Sequence, residues 1–443
     1  MKRFVTDRLI EWKKSARRKP LIIRGARQVG KSWAVMDFGQ SYFPGRLHVI
    51  DLEKRPDWHE VFQGNLVASR VLSELEILLN AEIEAGKDLL FFDEIQSCPR
   101  ALTMLRYFHE EIPELHVIAA GSLLEFALKD SSFPVGRVQF IDMYPLSFPE
   151  YLMATGNDKA AEVIRSEPEP LPESIHALLL NEMRNYLFIG GMPECVLSYA
   201  ETRRLRNSFQ IQADLISTYR QDFSKYAPHA DKHCLDAVLF SIAKNVGRQI
   251  KYARLTDSYS IPTIKKAFSL LSLARVITKV PSALPSGLPL GASASEKRFK
   301  ALMVDLGLMQ HLCGLPIETE IRQADILDIY RGALAEQFVG QEFLAGGQES
   351  LHYWSREKSG STAEVDYLIV RNGRIYPVEV KSGAPGKQRS LRLLLDTYPG
   401  CPSGLVLSSA AFQEKPSQKM NYLPLYYAYY LAKTNGTAGL GAP

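Results

Sequence analysis

The stretch Leu21-Ile22-Ile23-Arg24-Gly25-Ala26-Arg27-Gln28-Val29-Gly30-Lys31-Ser32 constrains the fold more than any other part of the chain. An apolar run of strand length leads into a loop opened by glycine, and the loop closes in Gly-Lys-Ser at a helix start. That spacing, G-x-x-x-x-G-K-[ST], is a phosphate-binding loop pattern. Gly25 and Gly30 permit the backbone conformations that turn successive N–H groups inward towards phosphate oxygens. Lys31 is placed to reach the β and γ phosphates and Ser32 to ligate Mg²⁺, while the helix from Trp33 onward points its positive end at the same anion. The expected nucleotide-binding set is Gly25, Ala26, Arg27, Gln28, Val29, Gly30, Lys31, Ser32 and Trp33, with ATP and Mg²⁺ as ligands.

A second strand pattern, Asp88-Leu89-Leu90-Phe91-Phe92-Asp93-Glu94-Ile95-Gln96, sets four apolar residues before two carboxylates. This suits a buried parallel strand whose carboxyl end meets a bound nucleotide. Asp93 would hold Mg²⁺ through its water shell, and Glu94 would orient and deprotonate the attacking water. The other reading is a surface acid pair capping the next helix. A further strand, His116–Ala120, runs into Gly121-Ser122. In ATPases with an extra strand between the phosphate loop and the acidic strand, a polar residue here senses the γ phosphate; Ser122 is the candidate, although Gly-Ser also makes an ordinary turn. Arg137, in the loop Phe133-Pro134-Val135-Gly136-Arg137, could stabilise transition-state charge in a neighbouring subunit; Arg100 and Arg106 compete for that role, and a structural ion pair explains any of the three.

At 443 residues the chain exceeds one ordinary core, so two or three domains are expected. Net charge is +4, too mild to argue by itself for nucleic acid. The five cysteines are scattered, with no CxxC pair or Cys/His cluster, which points to neither a disulfide framework nor a zinc site. No apolar run of membrane-spanning length and no signal-peptide pattern is present, so a cytoplasmic protein is expected. Residues 5–18, with Val5, Leu9, Ile10 and Trp12, read as an amphipathic helix; its basic run (Lys13, Lys14, Arg17, Arg18, Lys19) reads as a solvated face or as a nucleic-acid contact.

Taken together, Gly-Ala-Arg-Gln-Val-Gly-Lys-Ser, Phe-Phe-Asp-Glu-Ile-Gln, Ala-Ala-Gly-Ser-Leu-Leu-Glu-Phe (119–126), Tyr144-Pro145-Leu146-Ser147-Phe148 and Gly190-Gly191-Met192-Pro193-Glu194 resemble one family. It is the large bacterial and archaeal AAA-type P-loop ATPase family fused to a C-terminal domain of unknown function. The resemblance covers nearly the whole chain and implies Gly30, Lys31, Ser32, Asp93 and Glu94 as the hydrolytic set. The fold class it implies is an α/β P-loop NTPase core over 1–155.

Beyond that core, residues 155–175 have the composition of a loop or insertion, and helices are expected from 174 to 226, broken at Gly190–Pro193 by a close helix contact. Residues 156–230 would form a helical linker in which Tyr219–Asp222 present a charged face. From 232 the apolar stripe Leu235, Val238, Leu239, Ile242, Val246 gives one helix. Ser260 caps a second, with Ile264, Phe268 and Leu271 inside, followed by a strand at 275–280 and a Pro/Ser/Gly-rich stretch. That order predicts a winged helix over 231–300, with Lys265 and Lys266 on the outer side, where such domains touch DNA or pack on neighbours.

The C-terminal third predicts a helix over 328–343 carrying Glu336, then strands 363–370 and 375–381 joined at Asn372-Gly373, a hairpin signal. Alternation puts Glu364 with Asp366 on one face and Glu379 with Lys381 on one face. This arrangement resembles the PD-(D/E)xK nuclease fold over 301–433, with Asp366 and Glu379 as metal ligands beside Lys381 and Glu336, although Val365 replaces the signature proline. Cross-strand ion pairs on an exposed face remain the alternative. The tail at 434–443 reads as disordered. The leading functional expectation is an ATP-driven machine acting on DNA, as a homo-oligomer and without a membrane. The alternatives are a nucleotide switch whose inert C-terminal domain recruits protein partners, and a remodeller of protein substrates.

Overall fold

Leu21–Ile23, Leu89–Phe92 and Val117–Ala120 have no polar face and no exposed side chain, as a parallel strand covered by helices on both sides requires. The computed structural model describes residues 1–122, 124, 126, 136–226, 231–314, 331–356, 363–383, 386, 388–415 and 419–433. The predicted features at Leu123, Glu125, Phe133–Val135, Asp328–Tyr330 and 434–443 lie outside these residues. Two compact units result, one running from Lys2 to Tyr144 and the other beginning at Pro145.

The first unit runs α1 (Val5–Lys14), β1 (Leu21–Arg24), α2 (Lys31–Tyr42), β2 (Leu47–Asp51), α3 (Ala68–Leu79), β3 (Leu89–Asp93), α4 (Pro99–Glu111), β4 (His116–Ala120), β5 (Gln139–Asp142). Its five strands are all parallel in the order β2-β3-β4-β1-β5. β4 therefore separates the strand before the phosphate loop from the strand bearing Asp93, as expected for an ATPase with the additional strand. One sheet face packs Leu90, Phe92 and Val117 on Leu102, Leu105 and Phe108, with the Phe92 and Phe108 rings stacked at 6.2 Å. Each such buried Leu or Phe is worth about 2 kcal/mol relative to exposure. α3 stops at Leu79 although apolar residues recur to Ile83. Asn80 adopts φ +51° and the Ala81 N–H turns back to the Glu76 carbonyl, closing the helix before its apolar pattern ends.

In the second unit, helices α5 (Phe148–Ala154), α6 (Asp158–Arg165), α7 (Glu173–Ile189), α8 (Pro193–Thr202) and α9 (Leu205–Tyr226) come first. α6 corrects the expectation of a loop at 155–175. Its buried positions, Ala161 and Ile164, give too short a period to stand out between Gly156 and Pro168. The break at 190–193 is a close contact between segments: the Gly191 N–H donates to Asp305 Oδ2 at 2.6 Å and its carbonyl accepts from the Leu146 N–H.

α10 (Lys232–Lys244) is capped by Asp231 and α11 (Ile261–Leu273) by Ser260. Between them Ile250 bridges to Phe299 and a short turn covers Tyr252–Arg254. β6 (Ile277–Pro281) and β7 (Phe299–Met303) form an antiparallel pair over a Tyr252, Phe268, Phe299 ring cluster. Lys265 and Lys266 are exposed on α11. After α12 (Leu306–Leu312) and α13 (Arg331–Ala345), β8 (His352–Ser355), β9 (Glu364–Arg371), β10 (Arg374–Val380), β11 (Gly404–Ser408), β12 (Gln413–Lys415) and β13 (Met420–Pro424) build a mixed sheet ordered β12-β13-β11-β10-β9-β8. α14 (Arg389–Thr397) and α15 (Ala428–Ala432) complete it. Asn372 (φ +50°) and Gly373 (φ +69°) make the two-residue turn the sequence signals.

Candidate functional site

The carboxyl ends of β1, β3 and β4 bring the first site together. Gly25 lies so close to the Met143 carbonyl that an added Cβ would stand 2.3 Å from that oxygen, so glycine is required where the loop leaves β1. Gly30 takes φ +92° at the entry to α2, a left-handed conformation that glycine adopts without strain. Ala26 and Val29 are buried, Arg27 is half-buried, Gln28 is exposed, and Trp33 stands 45% exposed on the first turn of α2. Lys31 is buried, and its ammonium donates to the carbonyls of Gly25 (3.1 Å) and Ala26 (2.8 Å), folding its charge back over the loop.

Ser32 Oγ donates to Asp93 Oδ1 at 2.8 Å. A hydroxyl and a carboxylate so paired are hard oxygen donors of the kind Mg²⁺ takes, so the residues fit that ion. Burial, reinforced by the charge of Glu94, pushes the Asp93 carboxyl above its ordinary range, and a cation here would reverse that. Glu94 follows in a left-handed conformation (φ +47°). Ser122, expected as the γ-phosphate sensor, is buried, and its N–H and Oγ approach Glu94 Oε2 at 3.5 and 3.4 Å. The surface acid-pair alternative does not describe this geometry, since both carboxylates are half-buried and turned to Ser32 and Ser122.

Arg137 is exposed and paired with Glu110 Oε1 at 2.8 Å, just ahead of β5, which lies beside β1, and so at the amino end of the parallel strands, opposite the end that carries the phosphate loop. Arg106 shares Glu110, and Arg100 donates to the Phe62 and Gly64 carbonyls. Two neighbours of the site escaped sequence reasoning. Arg3 is buried and forks between the Val29 carbonyl (2.9 Å) and the Tyr144 carbonyl (2.7 Å), tying the loop to the end of the following segment. Gln96 donates its amide to Glu94 Oε2. The proximity of Gln96 to the acid pair was the one available signal; Arg3 gave none.

The second constellation gathers the expected acids around a lysine that sequence reasoning passed over. Lys300, on β7 and 2% exposed, stands 2.7 Å from Glu336 Oε1, 2.6 Å from Glu364 Oε1 and 3.4 Å from Asp366 Oδ1. Its signal was a lone charge inside the apolar run Phe299–Met303. The Val380 N–H donates to Asp366 Oδ2 at 2.8 Å, and Lys381 bonds Glu379 Oε1 at 2.6 Å. Burial raises Glu336 to about 8 and Glu379 to about 7, in both cases helped by Asp366. Burial pulls the other way on Lys300, but its three carboxylates outweigh it and hold the ammonium charged. Four acids share two ammonium groups, so protons make up part of the balance. Among the described residues no group of three or more His, Cys, Asp or Glu is set to hold a metal ion. As arranged, the donors around Lys300 do not fit one.

Neither His176, bonded to the Tyr426 hydroxyl, nor any of the five free cysteines joins either constellation. Among the described residues no helix is long and apolar enough to cross a membrane.

Comparison with known proteins divides the chain in three. Residues 17–152 match the model of an AAA domain, residues 180–319 a Domain of unknown function (DUF8612), and residues 331–427 a Domain of unknown function (DUF4143). No curated protein sequence matches. Similar solved structures include the Walker-type ATPase PABY2304 of Pyrococcus abyssi, at 15% identity and a TM-score of 0.45, covering 70% of this chain and 95% of that one. The Aeropyrum pernix ORC1 protein in complex with DNA matches at 14% identity and a TM-score of 0.28, covering 72% and 92%. The Thermotoga maritima RuvB Holliday junction branch migration motor matches at 15% and 0.28, covering 62% and 87%. With its parallel sheet and its phosphate loop, the stretch 17–152 has a P-loop NTPase-like α/β fold and is similar to an AAA domain.

Proposed function

We propose that this chain hydrolyses ATP in a Mg²⁺-dependent reaction and couples that turnover to DNA. The observation that carries the reading is the 2.8 Å bond between Ser32 Oγ and Asp93 Oδ1, one residue from Lys31 on one side and one from Glu94 on the other. The N–H groups of residues 25–32 would hold the phosphates. Lys31 exchanges its two loop carbonyls for phosphate oxygens, so its charge reaches the γ position without a new desolvation cost. Mg²⁺ held by Ser32 and Asp93 would neutralise developing charge. Glu94 takes the proton of the attacking water, and Ser122 links γ-phosphate occupancy to the same carboxylate. Arg137 lies at the amino end of the strands, opposite the phosphate loop, so its part in the reading is to serve the nucleotide of a neighbouring copy in a homo-oligomer.

For DNA, support comes from 231–300, read as a winged helix: two capped helices, the Ile250 bridge, the hairpin, and exposed Lys265 and Lys266. The reading also gives residues 1–155 to the ATPase core, 156–230 to a helical linker and 301–433 to a nuclease-like fold. That last assignment rests on Asp366, Glu379 and Lys381 meeting beside Glu336. It stops short of strand cleavage, because Lys300 already pairs with Glu336 and Asp366. The same lysine favours a second reading, a nucleotide switch whose inert C-terminal part recruits protein partners.

Steady-state ATPase assays with single-stranded, duplex and junction DNA separate the two. The first reading expects DNA-stimulated turnover that Lys31→Ala abolishes with loss of nucleotide binding, and that Glu94→Gln stops with binding retained. Turnover at the normal rate in Glu94→Gln removes the base assignment. Turnover indifferent to every DNA, with ATP-dependent capture of a protein, favours the switch.

A further inference from the structure

Glu94 is held by more than its own backbone. Its carboxylate accepts from Gln96 Nε2, and the Ser122 N–H and hydroxyl approach at 3.5 and 3.4 Å. All three donors meet Oε2; among the described residues no hydrogen bond reaches Oε1. Gln96 sits in the short turn Ile95–Ser97 directly after Glu94. The negative carboxylate dictates which way its amide faces: the NH₂ end towards Glu94, the carbonyl end away. That carbonyl, Oε1, is buried without a hydrogen-bond partner among the described residues. It packs on Gly121, where an added Cβ would stand 2.0 Å from it, so the amide occupies a slot that only a residue without a side chain leaves open. An unpaired buried carbonyl is costly and an apolar side chain of the same length would avoid it. What the amide achieves in return is a fixed carboxylate.

We propose that Gln96 is the positioning residue of the hydrolytic base: its amide, slotted over Gly121, pins Glu94 Oε2 so that Oε1 alone is presented to the attacking water. The proposal rests on Glu94 acting as the base. A freely rotating carboxylate would point either oxygen at many angles, and a proton acceptor misplaced by an ångström loses much of its effect. Ser122 contributes to the same oxygen, but at longer distances, so Gln96 is the tighter of the two constraints.

The test is a double-mutant cycle on the full chain, reading kcat and the Kd for a fluorescent ADP analogue in wild type, Gln96→Leu, Glu94→Gln and the pair. Leucine keeps the bulk and removes the amide. A positioned base contributes about 10²–10⁴ in rate, and partial misalignment should remove roughly tenfold of that in Gln96→Leu. Kd should stay within about twofold, and the pair should be no slower than Glu94→Gln alone, because Gln96 acts only through Glu94. Full or raised kcat in Gln96→Leu overturns the proposal, as does a loss that adds to that of Glu94→Gln. If Gln96→Leu does not fold, Gly121→Ala enters the same cycle, its methyl group displacing the amide. A wild type without Glu94-dependent turnover defeats the base assignment and this inference with it. Glu94-dependent turnover that ignores Gln96 defeats the inference alone.

Discussion

Lys31, Ser32, Asp93 and Glu94 announce themselves because phosphate and Mg²⁺ chemistry demands those types within two short local patterns. Arg3 could not be found that way. Its partners lie 26 and 141 positions along the chain, and no local rule links them. Yet it is as buried as Lys31 and satisfies two carbonyls at the base of the phosphate loop. Arg3→Ala would remove the hydrogen bonds to both carbonyls, costing about 2 kcal/mol of stability, and should weaken ADP binding by roughly tenfold through a loosened loop. Arg3→Lys should recover only part, because an ammonium does not fork. Thermal melts and a nucleotide titration read both effects, and affinity unchanged in Arg3→Ala would refute the tether.

At the scale of elements, Asn372-Gly373 fixed one hairpin in advance, since few dipeptides tolerate two left-handed residues in succession. Strand alternation likewise placed Glu364 with Asp366. The pattern could not show what neutralises them, because Lys300 arrives from β7, whose own pairing is with β6. Glu336 and Glu379, raised to about 8 and about 7, bind protons more tightly folded than unfolded. Their contribution to stability is complete below the ordinary carboxylate range and is lost as pH rises through 7 and 8. Lys300→Met removes the cation and should cost about 3 kcal/mol at pH 8. At pH 5 the loss should be smaller, because the acids can take protons instead. Urea unfolding at the two pH values measures this; equal losses would mean the lysine does not counterbalance the carboxylates.

At the scale of the whole molecule, net charge misled by averaging. Residues 231–300 hold twelve Lys and Arg against four Asp and Glu, a net of +8, so the remainder of the chain carries −4 against the overall +4. A polyanion would meet that segment rather than the mean. DNA-stimulated turnover should fall steeply as salt rises, and Lys265→Glu with Lys266→Glu should lower the slope of log affinity against log salt by about two. A slope untouched by both changes would take the helix α11 face out of the contact.

The hairpin that ends at β7 is sewn into the C-terminal sheet at several points. Ser282 pairs with Tyr353 and bonds the Ser355 hydroxyl, Met303 exchanges both backbone bonds with the Gln337 amide, and Lys300 serves Glu336, Glu364 and Asp366. Scissors applied near residue 300 would therefore not yield two self-sufficient halves. The carboxyl fragment would inherit four acids with Lys381 as their one remaining ammonium, and the amino fragment an orphaned Lys300, so any dissection for separate study has to keep strand and sheet on one polypeptide.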